Sequence, residues 1–277
     1  MAYSDIKLEQ GDGLAIITLN RPERLNSLSR HGLEEIRQAL DTVEADGTLK
    51  VLILTGAPRP DGRPCFSAGL DVREIAEKGL PPLARSGSLG EAALEGMAVV
   101  GPVENAFMAL CDRLESFPRP TIAAVDGICT GGGLELAMCC DFRIAAETAL
   151  ISDLHLKNLG VVGGGGNTVR LTHLVGPAKA KEIIFMGEPI DGREAHRIGL
   201  ANVVAPPAEL MAKAREWGGK MVSLSASGLR LAKASIAAAL DMDRRDALRY
   251  SYACWAATAG NIQEQAQAFT SRRPERQ

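Results

Sequence analysis

Residues 122–141 read IAAVDGICTGGGLELAMCCD, and they predict a strand, a glycine-rich turn and a helix in succession. The apolar run before Asp126 is β-prone, Gly127–Gly133 forms the turn, and Leu134–Cys140 favours a helix. Glycines at a helix start leave backbone N–H groups bare, and Glu135 falls in the first helical turn. Donors for a negative oxygen beside a potential proton carrier indicate enolate chemistry.

The flanking sequence predicts a mixed α/β core followed by helices. Leu14–Leu19 and Val51–Thr55 are short apolar runs of the kind that form strands, and Ser29 is a suitable N-cap for the helix that follows it. From residue 208 onward the pattern is almost entirely helical, with candidate helices at 208–221, 226–240 and 243–268. We therefore expect an α/β core over residues 1–205 and a helical region over 206–277.

Composition excludes several functional classes. The 277 residues carry 31 basic and 34 acidic side chains, a net charge of −3, which argues against a nucleic-acid groove. The six cysteines form no CxxC pair or regular spacing, so neither a disulfide framework nor a metal site is expected. No run of eighteen apolar residues predicts a membrane span, and the N-terminal residues lack the pattern of a secretion signal. A cytoplasmic protein is the resulting expectation.

Five segments, in order, make the sequence similar to the crotonase superfamily, also called the enoyl-CoA hydratase/isomerase superfamily. The similarity extends over roughly residues 6–205 and includes the glycine motif at 131–135. The five segments are Asn20–Leu28, Phe66–Asp71, Ala123–Ala137, Asn158–Leu171 and Val175–Ala180.

This resemblance implies a crotonase-type spiral of ββα units with a C-terminal helical trimerisation region. It also implies an acyl-CoA thioester substrate, no cofactor other than the coenzyme A of that substrate, and a homotrimer or a dimer of trimers (hexamer). Position by position, it places an oxyanion hole at the N–H groups of Ala68 and Gly132, and Glu135 at a catalytic glutamate. Substrate and coenzyme A contacts are expected at Arg24, Leu25, Ser67, Leu70, Asp71 and Gly131.

One position departs from the family pattern. Hydratases of this family use a second glutamate about twenty residues after the first, and the position that aligns with it is His155. An unperturbed histidine has a pKa of about 6.5, so His155 can act as an acid or a base. Asp153 lies two residues earlier, and in an extended segment both side chains would point to the same face. We retain both as catalytic candidates, against the alternatives of a buried structural histidine and a capping acid.

Two segments suggest features of the acyl pocket. The run Gly163–Gly166 lacks the Lys-Ser/Thr ending of a P-loop, so we interpret it as a wide turn that enlarges the pocket for a bulky acyl group. Residues 79–104, rich in proline, glycine and serine, are predicted to form a lid or wall beside that pocket.

The leading interpretation is an acyl-CoA lyase of the enoyl-CoA hydratase type in fatty acid metabolism. A double-bond isomerase is an alternative because it needs only one base. A β-keto acyl-CoA decarboxylase or C–C hydrolase could use the same oxyanion site. An alternative of another class is a weakly active crotonase-fold protein that binds coenzyme A or RNA.

Overall fold

The computed structural model describes residues 3–78 and 106–271, and a six-stranded sheet lies at its centre. Strands β1 and β2 pair antiparallel through a turn at Asp12 and Gly13, which adopt φ angles of +54° and +76°. The other neighbours in the sheet are parallel. The strands, in sheet order, are β1 (Ile6–Gly11), β2 (Leu14–Leu19), β3 (Val51–Gly56), β5 (Thr121–Val125), β7 (Phe142–Ala146) and β9 (Val203–Ala205).

A second, three-stranded parallel sheet consists of β4 (Cys65–Ser67), β6 (Ile128–Thr130) and β8 (Leu150–Ser152). The chain alternates between the sheets, since β3, β5 and β7 enter the large sheet and the next strand of each pair enters the small one. Repetition of this step makes a spiral of ββ units with intervening helices, which confirms the predicted α/β crotonase-type fold. The turn predicted over residues 127–133 is wrong in part, because Ile128–Thr130 is a strand of the small sheet.

Helices follow the strands along the spiral. Ser29 caps the first helix as predicted, its side chain accepting a hydrogen bond from the Gly32 N–H. At Gly176 a φ of +78° interrupts the long helix that begins at Asn167. These helices are α1 (Arg30–Ala45), α2 (Val72–Lys78), α3 (Ala106–Glu115), α4 (Gly132–Cys139), α5 (Asn167–Met186), α6 (Gly192–Arg197) and α7 (Leu210–Val222).

The core occupies both faces of the large sheet, which explains why Val51–Leu54 is apolar at every position. One face packs against α1, α3 and α4, and the other is covered by α7 through Leu210 and Ala214. At Gly218 the helix approaches the sheet so closely that a Cβ would lie 2.8 Å from Cδ2 of Leu14. Burial on both faces fixes the strand ends from which the functional loops emerge.

The chain ends in three helices, α8 (Ala226–Asp241), α9 (Arg244–Thr258) and α10 (Ile262–Ser271). A 3₁₀ turn at Ala259–Asn261 divides the last two, so the single helix predicted over 243–268 is wrong. Every side chain described in these helices is exposed or half-buried. Among them are large apolar residues: Ile236, Leu240, Tyr252, Trp255 and Phe269.

Within the described residues, no helix is both long and apolar enough to cross a membrane. The domain boundary after residue 205 stays a prediction. The helix just beyond it, α7, packs on the large sheet, and α8 contacts the core through Lys233, whose Nζ lies 3.0 Å from Oδ2 of Asp141.

Candidate active site

The glycine motif places the start of α4 directly after the small sheet. Strand β6 ends at Thr130, Gly131 turns the chain with a φ of +53°, and the helix begins at Gly132. The first N–H groups of a helix have no intrahelical acceptor, and the helix dipole favours negative charge beside them. The Gly132 N–H is therefore a donor suited to an oxyanion, and its contact with substrate stays a prediction.

A second loop, which follows β4, meets this helix start backbone to backbone. A Cβ on Gly69 would lie 2.7 Å from the Gly132 nitrogen, and one on Gly132 would lie 3.2 Å from the Leu70 nitrogen. Gly69 also adopts a φ of +92°, a conformation that side chains disfavour. The two loops therefore approach closely only because glycine occupies both contact positions.

The structure corrects the second donor of the predicted oxyanion hole. The Ala68 N–H donates to the Leu25 carbonyl at 2.9 Å, so the prediction that it binds substrate is wrong. Among the described residues, the Leu70 N–H has no hydrogen-bond acceptor, and its nitrogen lies beside Gly132. The two N–H groups that lie close together are therefore those of Leu70 and Gly132, and Leu70 is two residues after the predicted donor Ala68.

Two of the predicted substrate contacts hold the first loop together instead. The Ser67 hydroxyl donates to the Asn26 carbonyl at 2.8 Å and accepts from the Gly69 N–H at 3.1 Å. The Asp71 carboxylate pairs with Arg21 at 3.0 Å and accepts backbone N–H groups at the start of α2. Both side chains are thus committed to the protein.

Arg24 ends a short 3₁₀ helix (Pro22–Arg24) of which Leu25 is the C-cap, and the Arg24 side chain is exposed. Leu25 adopts a φ of +54°, which turns its carbonyl toward the Ala68 N–H. Contact of these two residues, and of Gly131, with the substrate stays a prediction.

Glu135 lies in the first turn of α4 and is only 1% exposed. Its Oε1 accepts a hydrogen bond of 2.7 Å from the Gly165 N–H, whereas its Oε2 has no partner among the described residues. Burial raises the pKa of Glu135, because the ionised carboxylate loses hydration. A buried carboxylate with one fixed and one free oxygen has the character of a general base or acid.

His155 faces the free oxygen of Glu135. Its Nε2 lies 3.7 Å from Oε2, and its Nδ1 lies 3.2 Å from both carboxylate oxygens of Asp153. Burial disfavours the charged imidazole, but the two carboxylates outweigh it and raise the pKa of His155. The ring also lies near the oxyanion loop, since a Cβ on Gly131 would be 3.7 Å from its Nε2.

The segment around His155 is not the extended strand assumed from the sequence. His155 begins a π-helix over His155–Leu159, a rare element that is frequent at functional sites. Its backbone N–H also donates to Asp153 at 3.0 Å, so the local turn brings the two side chains together. The predicted proximity of Asp153 and His155 is thus present, for a different geometric reason.

Asp153 is fully buried and anchored from two sides. The Asn167 side-chain amide donates to its Oδ2, and His155 occupies the other side. Although burial acts in the opposite direction, the hydrogen bonds from His155 and Asn167 lower the pKa of Asp153. Asp153 is therefore the fixed negative charge of the cluster, and His155 connects it to Glu135.

The glycine run after the π-helix does not enlarge the pocket as predicted. A Cβ on Gly163 would lie 2.6 Å from Oε1 of Glu135, and one on Gly165 would lie 2.9 Å from its Cδ. A Cβ on Gly165 would also meet Phe107 at 2.8 Å. The space beside these glycines is filled by the protein, and the inference of a bulky acyl group from this run is wrong. The lid predicted over residues 79–104 lies outside the described residues.

Comparison with known proteins agrees with this geometry. The family model described as enoyl-CoA hydratase/isomerase matches residues 9–276. The chain belongs to the enoyl-CoA hydratase/isomerase family. A crotonyl-CoA hydratase of Syntrophomonas wolfei is 36% identical over 85% of this chain and 82% of its own length. A short-chain-enoyl-CoA hydratase of Clostridium acetobutylicum is also 36% identical, over 90% of this chain and 87% of that protein.

Solved structures lead to the same family. The crystal structure of an enoyl-CoA hydratase from Bacillus anthracis has a TM-score of 0.81 and 32% identity, and it covers 98% of this chain and 97% of that one. These findings confirm the predicted superfamily, the fold class and an enzyme of the enoyl-CoA hydratase type.

The contacts that two residues of this site make were not predicted from the sequence. Leu70 was assigned a general substrate contact rather than an oxyanion donor. Gly165, which holds Glu135 through its N–H, was treated as part of an open turn. The glycine run was itself the signal, because glycine also permits other groups to approach the backbone closely.

Proposed function

We propose that this protein hydrates 2-enoyl-CoA thioesters, using Glu135 and His155 where two glutamates are expected. The observation that supports this most directly is the buried Oε2 of Glu135, which has no hydrogen-bond partner among the described residues and lies 3.7 Å from Nε2 of His155. A water oxygen at hydrogen-bond distance reaches both atoms. The N–H groups of Leu70 and Gly132, which are suited to the thioester oxygen, lie at the start of the helix that carries Glu135.

The proposed reaction follows from the charges. Glu135, when ionised, accepts a proton from water as the water oxygen bonds to the β-carbon of the substrate. The electrons of the double bond move toward the thioester, whose oxygen is stabilised by the N–H groups of Leu70 and Gly132. Each donor of this type contributes about 3–4 kcal/mol in comparable sites. Protonated His155 then delivers its Nε2 proton to the α-carbon, giving the 3-hydroxyacyl thioester.

Asp153 is a positioning residue in this scheme. Its carboxylate faces Nδ1 of His155, so it holds the proton there and leaves Nε2 directed at Glu135. After one turnover Glu135 is protonated and His155 neutral. Transfer of one proton between Oε2 and Nε2 restores the starting state.

The substrate class and cofactor requirement follow from the same scheme. Addition of water involves no net oxidation or reduction, so no cofactor other than the coenzyme A of the substrate is required. The relatives named above are a crotonyl-CoA hydratase and a short-chain-enoyl-CoA hydratase, which supports a short enoyl chain. A cytoplasmic location fits the six cysteines, all of them free thiols.

We also propose that the protein works as a homotrimer or a dimer of trimers. Ile236 on α8 is 71% exposed and Phe269 on α10 is 77% exposed, values typical of an uncovered contact surface. With Leu240, Tyr252 and Trp255, they form an apolar set on helices that have no fully buried side chain within the described part of the chain.

A screen of acyl-CoA thioesters by mass spectrometry tests the proposed reaction. We expect crotonyl-CoA to gain one water, and the Glu135→Gln variant to lose activity by at least about 100-fold, the range of general acid–base catalysis. His196→Gln is the matched control, since His196 lies on α6 and contacts the Ala201 carbonyl instead. A product of unchanged mass would assign the isomerase reaction, loss of carbon dioxide would assign decarboxylation, and binding without turnover would assign a binding protein.

A further inference from the structure

Arg170, in the first turn of α5, ties the glycine run to helix α3. Its Nη1 donates to the Gly165 carbonyl, and its Nη2 lies 3.0 Å from Oδ1 of Asp112 and 2.6 Å from Oε2 of Glu115. The Arg170 side chain is 13% exposed, whereas its two acidic partners are open to solvent. The arginine therefore connects the backbone of the glycine run to two side chains of α3.

Gly165 is hydrogen-bonded both to Arg170 and to Glu135. Gly165 donates its N–H to Oε1 of Glu135 at 2.7 Å and offers its carbonyl to Arg170. Residue 165 cannot carry a side chain that would anchor the loop, because a Cβ on Gly165 would collide with Phe107 and Glu135. Four successive glycines have unusually large backbone freedom, so an external contact is needed to order them.

We propose that Arg170 is a positioning residue for Glu135. Arg170 fixes Gly165, whose N–H then keeps Oε1 of Glu135 bound. Of the two carboxylate oxygens, Oε2 is left to contact water and His155. This proposal rests on the proposed catalytic role of Glu135.

The proposal predicts a specific kinetic signature. When Arg170 is lost, the Gly165 N–H no longer stabilises the ionised form of Glu135, so its pKa rises further. The acid limb of the kcat/KM profile should then move upward by about one pH unit. The titratable groups that face Glu135 from neighbouring elements, His155, Asp153 and Cys111, are left in place. Substrate binding at the oxyanion loops is untouched, so kcat should fall about tenfold or more while KM changes little.

The experiment compares Arg170→Met with Arg119→Met in the full-length chain. Arg119 is a suitable control because it is also half-buried and donates to carbonyl oxygens, those of Val43 and Leu49, on α1 and the loop after it. We expect a lowered kcat and a displaced acid limb only in Arg170→Met. Arg170→Lys, which keeps one donor, should recover part of kcat and return the acid limb toward the wild-type position.

A second variant removes the outer anchor without touching Arg170. The double substitution Asp112→Asn with Glu115→Gln changes only exposed side chains, so it tests the proposal even where Arg170→Met fails to fold. We expect the same displacement of the acid limb, smaller in size.

The two proposals can fail separately. An acid limb that persists unchanged in Glu135→Gln would overturn the role of Glu135, whatever Arg170 does. If Glu135→Gln abolishes activity as expected, but both the folded Arg170→Met protein and the Asp112/Glu115 double variant keep the wild-type acid limb and a kcat within about threefold, the role of Arg170 is wrong.

Discussion

Nε2 of His155 lies 3.7 Å from Oε2 of Glu135, so the position that departs from the family's second glutamate still faces the first one. The pair is too far apart for a direct hydrogen bond and close enough for a shared water. A histidine here differs from a glutamate in one respect: its acidic form is a cation, which the carboxylates on both sides stabilise.

His155→Gln should therefore lower kcat for hydration by about 100-fold to 10,000-fold, the usual contribution of a positioned acid or base. Glutamine can hold water but cannot donate a proton to the α-carbon. Steady-state kinetics with crotonyl-CoA measure the loss. Unchanged kcat in a folded variant would mean that His155 has only a structural role.

The pH dependence of kcat/KM should be bell-shaped. Glu135 must be ionised, and burial raises its pKa, so the acid limb should lie above the ordinary glutamate value of about 4.3. His155 must be protonated, and although burial opposes the charge, Asp153 and Glu135 raise its pKa. The ordinary pKa of histidine is about 6.5, so activity should persist above that pH before it declines.

Asp153→Asn tests the alkaline limb separately. Without the carboxylate, the His155 imidazolium loses its main support and its pKa falls, so the alkaline limb should move to lower pH. Asparagine keeps the size of the side chain, and Asn167 still has an acceptor at this position. An alkaline limb at the wild-type pH would show that another group carries the proton.

The sequence predicted most strands of the large sheet, though not β1 (Ile6–Gly11), and the main helices, because their signals are local. Leu14–Leu19 and Val51–Thr55 are apolar runs of strand length, and Ser29 is an N-cap before a periodic helix. The strands of the small sheet were missed because each is only three residues long, too short to show alternation. Their pairing is decided by tertiary contacts alone.

The residues of the site also differ in whether their roles follow from local sequence or from distant contacts. Glu135 and Gly132 belong to one continuous motif, so their roles could be predicted from the sequence. The partner donor could not be placed reliably, because which N–H remains free in the loop 68–70 depends on the Leu25 carbonyl, more than forty residues earlier. Likewise, the glycine run cannot by itself show whether the space beside it is empty or filled by Glu135.

Exposed apolar residues on the last helices predict the assembly. Trp255→Asp should convert the oligomer into smaller species, because a charge on that surface would have to be buried in the interface. Sedimentation velocity measures the change. Val72→Asp is the control, since Val72 is also exposed but lies on α2. A wild-type protein that sediments as a monomer would contradict the proposed trimer.

Gly163→Ala and Gly164→Ala form the sharpest pair of variants at the site. A methyl group on Gly163 would lie 2.6 Å from Oε1 of Glu135 and 2.7 Å from Oδ1 of Asn167, both on buried side chains. A methyl group on Gly164 would meet only the flexible end of Met108, at 3.4 Å. Both variants reduce the backbone freedom of the loop to the same extent.

We therefore expect Gly163→Ala to displace Glu135 and lower kcat by about 10-fold or more, as misplacement of a catalytic group by a fraction of an ångström does. Gly164→Ala should keep kcat and the pH profile, with equal or slightly greater thermal stability. Equal activity in the two variants would show that the carboxylate has room to move beside Gly163. The close fit of the glycine run around Glu135 would then have no catalytic consequence.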